Sequence, residues 1–254
     1  MSDGTAEIRV RPLTGLPEVL PGDDLASALA ALAPLAEGDI LAVSQKVVSK
    51  QEGRIVSLDE VVPGPRAAKV AVELDRDPRL VELILSESVN VVRTDAARGI
   101  LITETHHGFI CANAGIDSSN VPGSNAVVLL PRDPDGSARR LRAGIGEACG
   151  VRPGVVISDS FGRAWRLGQA EVAIGCAGIN PLDDWRGRTD SEGRELAATV
   201  IATADQIAGA ADLGRDKTSR TPAVLIQGLG HLVTQNDGPG CRDQIRPAHE
   251  DLFR

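Results

Sequence analysis

Residues 90–116 read NVVRTDAARGILITETHHGFICANAGI. Within this stretch, short apolar runs have period two, which is typical of strands that bury one face. These neighbouring strands have no helical segment between them. We therefore predict a mixed α/β (α+β) fold with antiparallel strand pairs, and not a doubly wound parallel sheet.

The segments on either side of this stretch predict further strands and helices. Asp23 and Asp24 cap an Ala- and Leu-rich helix, and an apolar strand covers Ile40–Val43. Residues 65–88 have helical spacing with one break at Asp77–Pro78. The remaining predicted elements are strands at residues 6–10, 54–58, 126–130 and 154–158, helices at 136–147 and 193–212, and a last strand in AVLIQGL at 223–229.

Composition narrows the class of protein. The chain has 254 residues, with 27 Lys and Arg against 35 Asp and Glu, so its net charge is −8. A negative surface repels polyanions, and we therefore expect no nucleic-acid partner and no membrane partner. The amino terminus has no signal-peptide pattern, no apolar run approaches the roughly 18 residues of a membrane span, and the four cysteines lie far apart. These features predict one cytoplasmic unit with unpaired thiols.

The first segment with chemical interest is VSQKVVSK, Val43–Lys50, directly after a predicted strand. Its hydroxyls, amide and ammonium groups at a strand end are suited to a phosphate or purine pocket. The alternative is a solvated turn with ordinary surface lysines.

Two further segments place carboxylates at strand ends. NAGIDSSNV at 113–121 offers Asp117 and Asn120, which suit a divalent cation and a nucleotide, or alternatively an Asx-turn. VVISDSFGRAWRLGQ at 155–169 offers Asp159 and Ser160 for Mg²⁺ or Mn²⁺. In the same segment Arg163 and Arg166 are candidate phosphate stabilisers, the alternative being a structural turn with surface arginines. Two carboxylates from separate elements can jointly hold two metal ions, but this spacing does not specify the reaction.

These motifs resemble those of the coenzyme F-420-0:L-glutamate ligase family. The resemblance rests on GLPE at 15–18, GDILAVSQKVVSKQEGRIV at 38–56, ITETHHGFICANAGIDSSNVPG at 102–123 and VVISDSFGRAWRLGQAEVAIGCAGINPLDDWRG at 155–187. It covers nearly the whole chain in order, and it is closest to the stand-alone form of the family. It implies a two-lobed unit in an intertwined homodimer, and we assign the lobes to residues 1–92 plus 200–254 and to 93–199.

The resemblance also implies an activity and its cofactors. Members of the family use GTP to add L-glutamate to the deazaflavin precursor coenzyme F-420-0, with two divalent cations and a K⁺ ion. The implied GTP contacts are Leu16, Pro17, Glu18, Val19, Ser44, Gln45, Lys50 and Asn120. Asp117 and Asp159 match ligands of the first metal, and Ser160 matches a ligand of the second.

One segment departs from the family pattern. DLGRDKTSRTP, residues 212–222, has Lys217 where archaeal members have a glutamate at the second metal, and Asp216 is the expected substitute. Three other functions remain open from the sequence: a related ligase with a different carboxylate acceptor, a non-catalytic GTP-binding regulatory protein, and a metal-dependent phosphohydrolase.

Overall fold

Five strands form the central sheet of this computed structural model, which describes residues 7–118, 125–215 and 220–252. In spatial order they are β1 (Arg9–Leu13), β12 (Ala223–Gln227), β2 (Ile40–Ser44), β8 (Gly154–Arg163) and β9 (Arg166–Ala177). β2 and β8 run parallel, and the other neighbouring pairs in this sheet run antiparallel. The mixed α/β class with antiparallel pairs is therefore confirmed.

Helices cover both faces of the sheet. Helices α1 (Leu25–Leu32) and α5 (Pro134–Cys149) pack on one face, where Leu29 and Ile145 meet Leu41. Helix α6 (Thr203–Gly214) packs on the other, where Ile207 meets Ile40. Strand β2 is consequently buried on both sides, which explains its uninterrupted apolar sequence.

A second group of elements surrounds the stretch quoted first. Strands β4 (Ser88–Asp95), β5 (Ile100–Thr105) and β6 (Ile110–Ala112) form an antiparallel sheet, which confirms the prediction for 90–116. The remaining elements are α2 (Gln45–Gln51), α3 (Pro65–Leu74), α4 (Pro78–Ser86) and the strand pairs β3 (Ile55–Ser57) with β7 (Ala126–Val128) and β10 (Asp183–Asp184) with β11 (Val200–Ile201). β8 and β9 belong to the predicted lobe 93–199, but they share the central sheet with β2 and β12 of the other predicted lobe. The division into two lobes remains a prediction.

Capping residues set several helix ends as expected. The Asp24 side chain accepts a hydrogen bond of 3.0 Å from the Ser27 amide at the start of α1. The break between α3 and α4 falls at Asp77, whose carboxylate caps α4 ahead of Pro78. The four cysteines are free thiols, as predicted. In the described ranges, none of the helices combines the length and apolar character needed to cross a bilayer.

Three local predictions were wrong. The helix expected at 193–212 starts only at Thr203, because Val200 and Ile201 pair with β10 instead. The strand expected at 154–158 continues to Arg163, since antiparallel pairing with β9 sustains it. The first strand runs through Pro12, which an edge strand tolerates because its outer side donates no ladder hydrogen bond.

Candidate functional site

Helix α2 carries two lysines one turn apart, so their side chains share one helix face. The ammonium of Lys46 lies 2.7 Å from Oδ2 of Asp117. The ammonium of Lys50 lies 2.5 Å from Oε1 of Glu18. This single helix therefore connects the segment 15–19, the segment 43–50 and the carboxylate Asp117.

The sequence at the end of β2 explains why this segment is a helix and not a solvated turn. The buried strand ends at Ser44, whose backbone N–H donates to the Pro222 carbonyl at 2.7 Å. Gln45 and Ser49 then point inward, and the Ser49 hydroxyl donates to Oε1 of Gln45 at 2.8 Å. Lys50 is also buried, with 8% of its side chain exposed. A buried polar face of this kind requires a specific environment, and the surface-lysine alternative is wrong for Lys50.

Asp117 is held in place by an unusual backbone turn. Asn113, Ala114 and Gly115 adopt left-handed conformations, with φ of 53°, 55° and 70°. The Asn113 side chain accepts a hydrogen bond of 2.9 Å from Arg76, which fixes the turn. The backbone of Asp117 then exchanges hydrogen bonds of 3.0 and 2.8 Å with that of Val128.

Asp159 comes from β8, and its electrostatic environment shows that it lies near Asp117. Burial, the charge of Glu171 and, to a smaller extent, that of Asp117 together raise the pKa of Asp159 to about 7. Lys46 acts in the opposite direction on the same pKa. Burial and the Asp159 charge also raise the pKa of the Cys111 thiol on β6 to about 12. Carboxylates from two separate elements are thus brought together, as the sequence suggested.

Ser160 belongs to a second cluster on the opposite face of the β8–β9 hairpin. Ile157 and Phe161 face the side of the sheet that α1 and α5 cover, whereas Val156 faces α6. Asp159 lies two positions from both Ile157 and Phe161 and therefore shares their face. Ser160 therefore faces the α6 side together with its cross-strand partner Glu171.

Two charged residues of this second cluster were not predicted from the sequence. The Ser160 hydroxyl donates to Oε1 of Glu171 at 2.5 Å. Oε2 of Glu171 lies 3.6 Å from Nη1 of Arg215, which follows α6 and donates from Nη2 to the Ser158 hydroxyl at 3.1 Å. The sequence does contain one signal for Glu171, an acid at the start of the apolar run EVAIGCA. This signal points to a site only when the register of the β8–β9 hairpin is known, because the register places Glu171 opposite Ser160.

The arginines suggested as phosphate stabilisers lie elsewhere. Arg163 and Arg166 face each other at the end of the β8–β9 hairpin, where both are exposed. Arg163 donates to the carbonyls of Leu167 and Gly168 in the same turn. Arg163 lies four positions after Asp159 along β8, a span of about 13 Å. Arg215, in contrast, lies 3.6 Å from the Glu171 carboxylate.

The other predicted positions are distributed as follows. Val19 is buried in the core beneath α1, Leu16 packs against the same cluster, and Pro17 is exposed. Asn120 and Asp216, together with Lys217, lie outside the described residues.

The donor atoms of the site fit hard divalent cations. Asp117, Asp159 and Glu171 supply carboxylate oxygens and Ser160 a hydroxyl, which are the ligands that Mg²⁺ and Mn²⁺ prefer. Positive charge of the kind that a polyphosphate requires lies beside two of these acids, from Lys46 at Asp117 and from Arg215 at Glu171, and Lys50 adds a further cation at Glu18. The arrangement can therefore hold cations and a phosphorylated ligand together.

A second group of metal-type donors has a structural explanation. Asp135, Cys176 and Cys241 bring their ligand atoms within 4.8 Å of one another. However, Oδ1 of Asp135 accepts the backbone N–H groups of Cys176 and Cys241 at 2.9 and 2.7 Å. The neighbouring thiol and burial raise the pKa of Cys241, which disfavours the thiolate that a metal needs.

Comparison with known proteins identifies related sequences over the same residues. The model of the F420-0:gamma-glutamyl ligase family matches residues 15–228. A coenzyme F420:L-glutamate ligase of Methanopyrus kandleri is 44% identical over 253 residues, which are 99% of this chain and 99% of the relative. The corresponding protein of Methanothermobacter thermautotrophicus is 43% identical over 94% of this chain and 96% of its own. That of Methanocaldococcus jannaschii is 40% identical over 90% and 89%.

Proposed function

Because the chain belongs to the F420-0:gamma-glutamyl ligase family, we propose that it joins L-glutamate to coenzyme F420-0 during coenzyme F420 biosynthesis. The observation that carries this proposal is 44% identity to a coenzyme F420:L-glutamate ligase across 99% of both chains. The clustering of Lys46, Asp117 and Asp159 supports it, since sequence segments far apart in the chain form one polar site.

The proposed reaction is GTP-dependent and proceeds in two displacements. A carboxylate is inert towards amines, so an oxygen of the acceptor carboxylate first attacks the γ-phosphorus of GTP, and GDP leaves. The amine nitrogen of glutamate, in its neutral form, then attacks the carbonyl carbon of the acyl phosphate, and inorganic phosphate leaves. An amide bond has formed, and GTP has become GDP and phosphate. No side-chain nucleophile is needed.

In this scheme the first two segments bind the nucleotide. We assign Leu16, Pro17 and Val19 to the GTP-binding segment, in which Val19 is the buried anchor. Glu18 lies in the same segment, and its ion pair with Lys50 joins the two segments. Ser44 and Gln45 lie where β2 gives way to α2 and can face the nucleotide there. Gln45 is suited to this role, because its buried Nε2 has no hydrogen-bond partner in the described structure. Asn120 belongs to the same proposed set.

The carboxylates would hold two divalent cations, Mg²⁺ or Mn²⁺. We assign Asp117 and Asp159 to the first, and Ser160 to the second, with Asp216 as a further candidate ligand. When bound, such cations neutralise the charge of the transferred phosphoryl group. Lys46 positions the Asp117 carboxylate. A K⁺ ion, a homodimer and a cytoplasmic location complete the proposal.

Mass spectrometry of the products tests the function directly. The protein is incubated with GTP, Mn²⁺, L-glutamate and coenzyme F420-0, and in parallel with other carboxylate acceptors. A mass gain of one or more glutamyl units on coenzyme F420-0, with one GDP per unit, is expected. A gain only on another acceptor would identify a related ligase. GTP binding without any product would indicate a regulatory protein, and phosphate release without amide formation would indicate a phosphohydrolase.

A further inference from the structure

Glu171 is a buried acid that neither the motifs nor the proposed function assigns to any role. It lies on β9 directly opposite Ser160, and only 8% of the residue is exposed. A carboxylate that is buried in a sheet is costly unless it is paired and hydrogen-bonded. The groups that contact the Glu171 carboxylate therefore indicate its role.

The two oxygens of this carboxylate have different surroundings. Oε1 accepts the Ser160 hydroxyl proton at 2.5 Å, which fixes the orientation of that hydroxyl relative to the carboxylate. Oε2 is buried and accepts no hydrogen bond within the described structure. It lies 3.6 Å from Nη1 of Arg215, which is beyond hydrogen-bond distance, and Nε of Arg215 is likewise without a hydrogen-bond partner there. The Glu171–Arg215 ion pair therefore compensates the charge of the carboxylate, but it gives neither Oε2 of Glu171 nor Nε of Arg215 a hydrogen bond.

The acids on the two faces of the hairpin have different positive partners. Lys46 neutralises Asp117 on one face, and Arg215 faces Glu171 on the other. A divalent cation beside Glu171 would bring positive charge to within bonding distance of Oε2, which Arg215 at 3.6 Å does not do.

We propose that Glu171 is a ligand of the second divalent cation, with Oε2 binding the cation directly and Oε1 orienting the Ser160 hydroxyl towards it. This inference rests on the proposed metal dependence. Glu171 would give the second cation a carboxylate ligand from β9, whereas the segment 212–222 has Lys217 where archaeal members have a glutamate. The Ser160 hydroxyl alone would be a weak ligand. Once Oε2 binds a cation, the guanidinium of Arg215 is available to a phosphate oxygen instead. The competing explanation is a purely structural Glu171–Arg215 ion pair.

Manganese binding by the nucleotide-free protein separates the two explanations. Bound and free Mn²⁺ are counted by electron paramagnetic resonance during a titration, without GTP or acceptor. We expect two sites in the wild type, one of which weakens at least tenfold in Glu171→Gln. The matched control Glu147→Gln removes an exposed acid from α5 and should bind as the wild type does. Equal binding by Glu171→Gln and the wild type would overturn the inference.

A second variant covers the case in which Glu171→Gln does not fold. Arg215→Met removes the positive partner, so a structural ion pair predicts lower stability that Mn²⁺ does not correct. Cation binding by Glu171 predicts instead that Mn²⁺ binding is retained and that Mn²⁺ raises the melting temperature of Arg215→Met more than that of the wild type. A wild-type protein that binds no Mn²⁺ would refute both this inference and the metal dependence, whereas the product assay tests ligation independently.

Discussion

The ammonium of Lys46 lies 2.7 Å from the carboxylate of Asp117, although Lys46 lies on helix α2 and Asp117 follows the turn at residues 113–115, in a different sequence motif. Lys50, one turn later on the same helix, contacts Glu18 at 2.5 Å. Helix α2 therefore connects the proposed nucleotide segment to the proposed cation site. A displacement of this helix would disturb both sites together.

Lys50 is expected to bind GTP in the ground state and the transition state alike. Lys50→Ala should raise the KM for GTP by at least about tenfold and change kcat much less, because uniform binding affects KM alone. Steady-state kinetics over a range of GTP concentrations measure the two parameters. Lys69→Ala, which removes an exposed lysine of α3, is the matched control. An unchanged GTP dependence would show that the Lys50–Glu18 pair is structural.

Asp159 is expected to be essential for ligation and dispensable for folding. Asp159→Asn preserves the shape of the side chain but removes its charge, which should lower kcat by roughly a thousandfold or more. Product formation at saturating Mn²⁺ measures the loss, and circular dichroism checks the fold. Asp184→Asn removes an acid that is exposed and paired with Arg186, and should remain active. Near-wild-type turnover in Asp159→Asn would refute the proposed cation site.

Local patterns predicted much of the fold. Period-two runs identified β4 to β6, and Asp77 with Pro78 identified the break between α3 and α4, because these signals depend on neighbouring residues only. The helix expected at 193–212 failed because Val200 and Ile201 gain more by pairing with β10. Such pairing depends on a distant segment, which the periodicity of the sequence does not contain.

The site shows the same limit. Asp117 and Asp159 could be selected because each follows an apolar run, and the structure brings them together. Glu171 and Arg215 were missed, since their importance comes from the register of the β8–β9 hairpin and from the position of α6. Arg163 was selected for its spacing along the sequence, but the hairpin carries it away from the acids. Spacing along one strand does not reveal which side chains converge.

The left-handed turn before Asp117 should make Gly115 sensitive to substitution. Gly115→Ala would place a Cβ 2.8 Å from Cδ1 of Leu130, and the φ of 70° is itself unfavourable for alanine. We expect a loss of about 2–4 kcal/mol in the free energy of unfolding, from overpacking and the left-handed conformation together. Urea denaturation measures this loss.

Gly187→Ala is the control, because its φ of 77° is similar but no atom lies within 4 Å of the added Cβ. Its loss should be limited to about 1–2 kcal/mol, the cost of the left-handed conformation alone. Equal losses in the two variants would show that contact with Leu130 is not important.

The buried His107 should make stability depend on pH. Burial lowers the pKa of His107 below its ordinary value of 6.5, and Nε2 donates to the Pro131 carbonyl at 2.8 Å. The unfolded chain therefore takes up a proton before the folded protein does, so stability is complete above pH 6.5 and falls as the pH decreases below it. Urea denaturation at several pH values should show a smaller decline in His107→Gln. Parallel profiles would mean that groups other than His107 dominate the pH dependence.

The homodimer can be tested at the end of the β8–β9 hairpin. Trp165 and Leu167 are 79% and 96% exposed there, flanked by Arg163 and Arg166. Large apolar side chains at the tip of a long hairpin are costly in water and are suited to burial by a second copy of the chain.

Sedimentation at micromolar concentration should give twice the 26.5 kDa of one chain. Leu167→Lys should shift the monomer–dimer equilibrium towards the monomer. The control Val72→Lys, which changes an exposed apolar residue of α3, should not shift it. An active wild-type species of 26.5 kDa, with a melting temperature independent of concentration, would exclude the dimer.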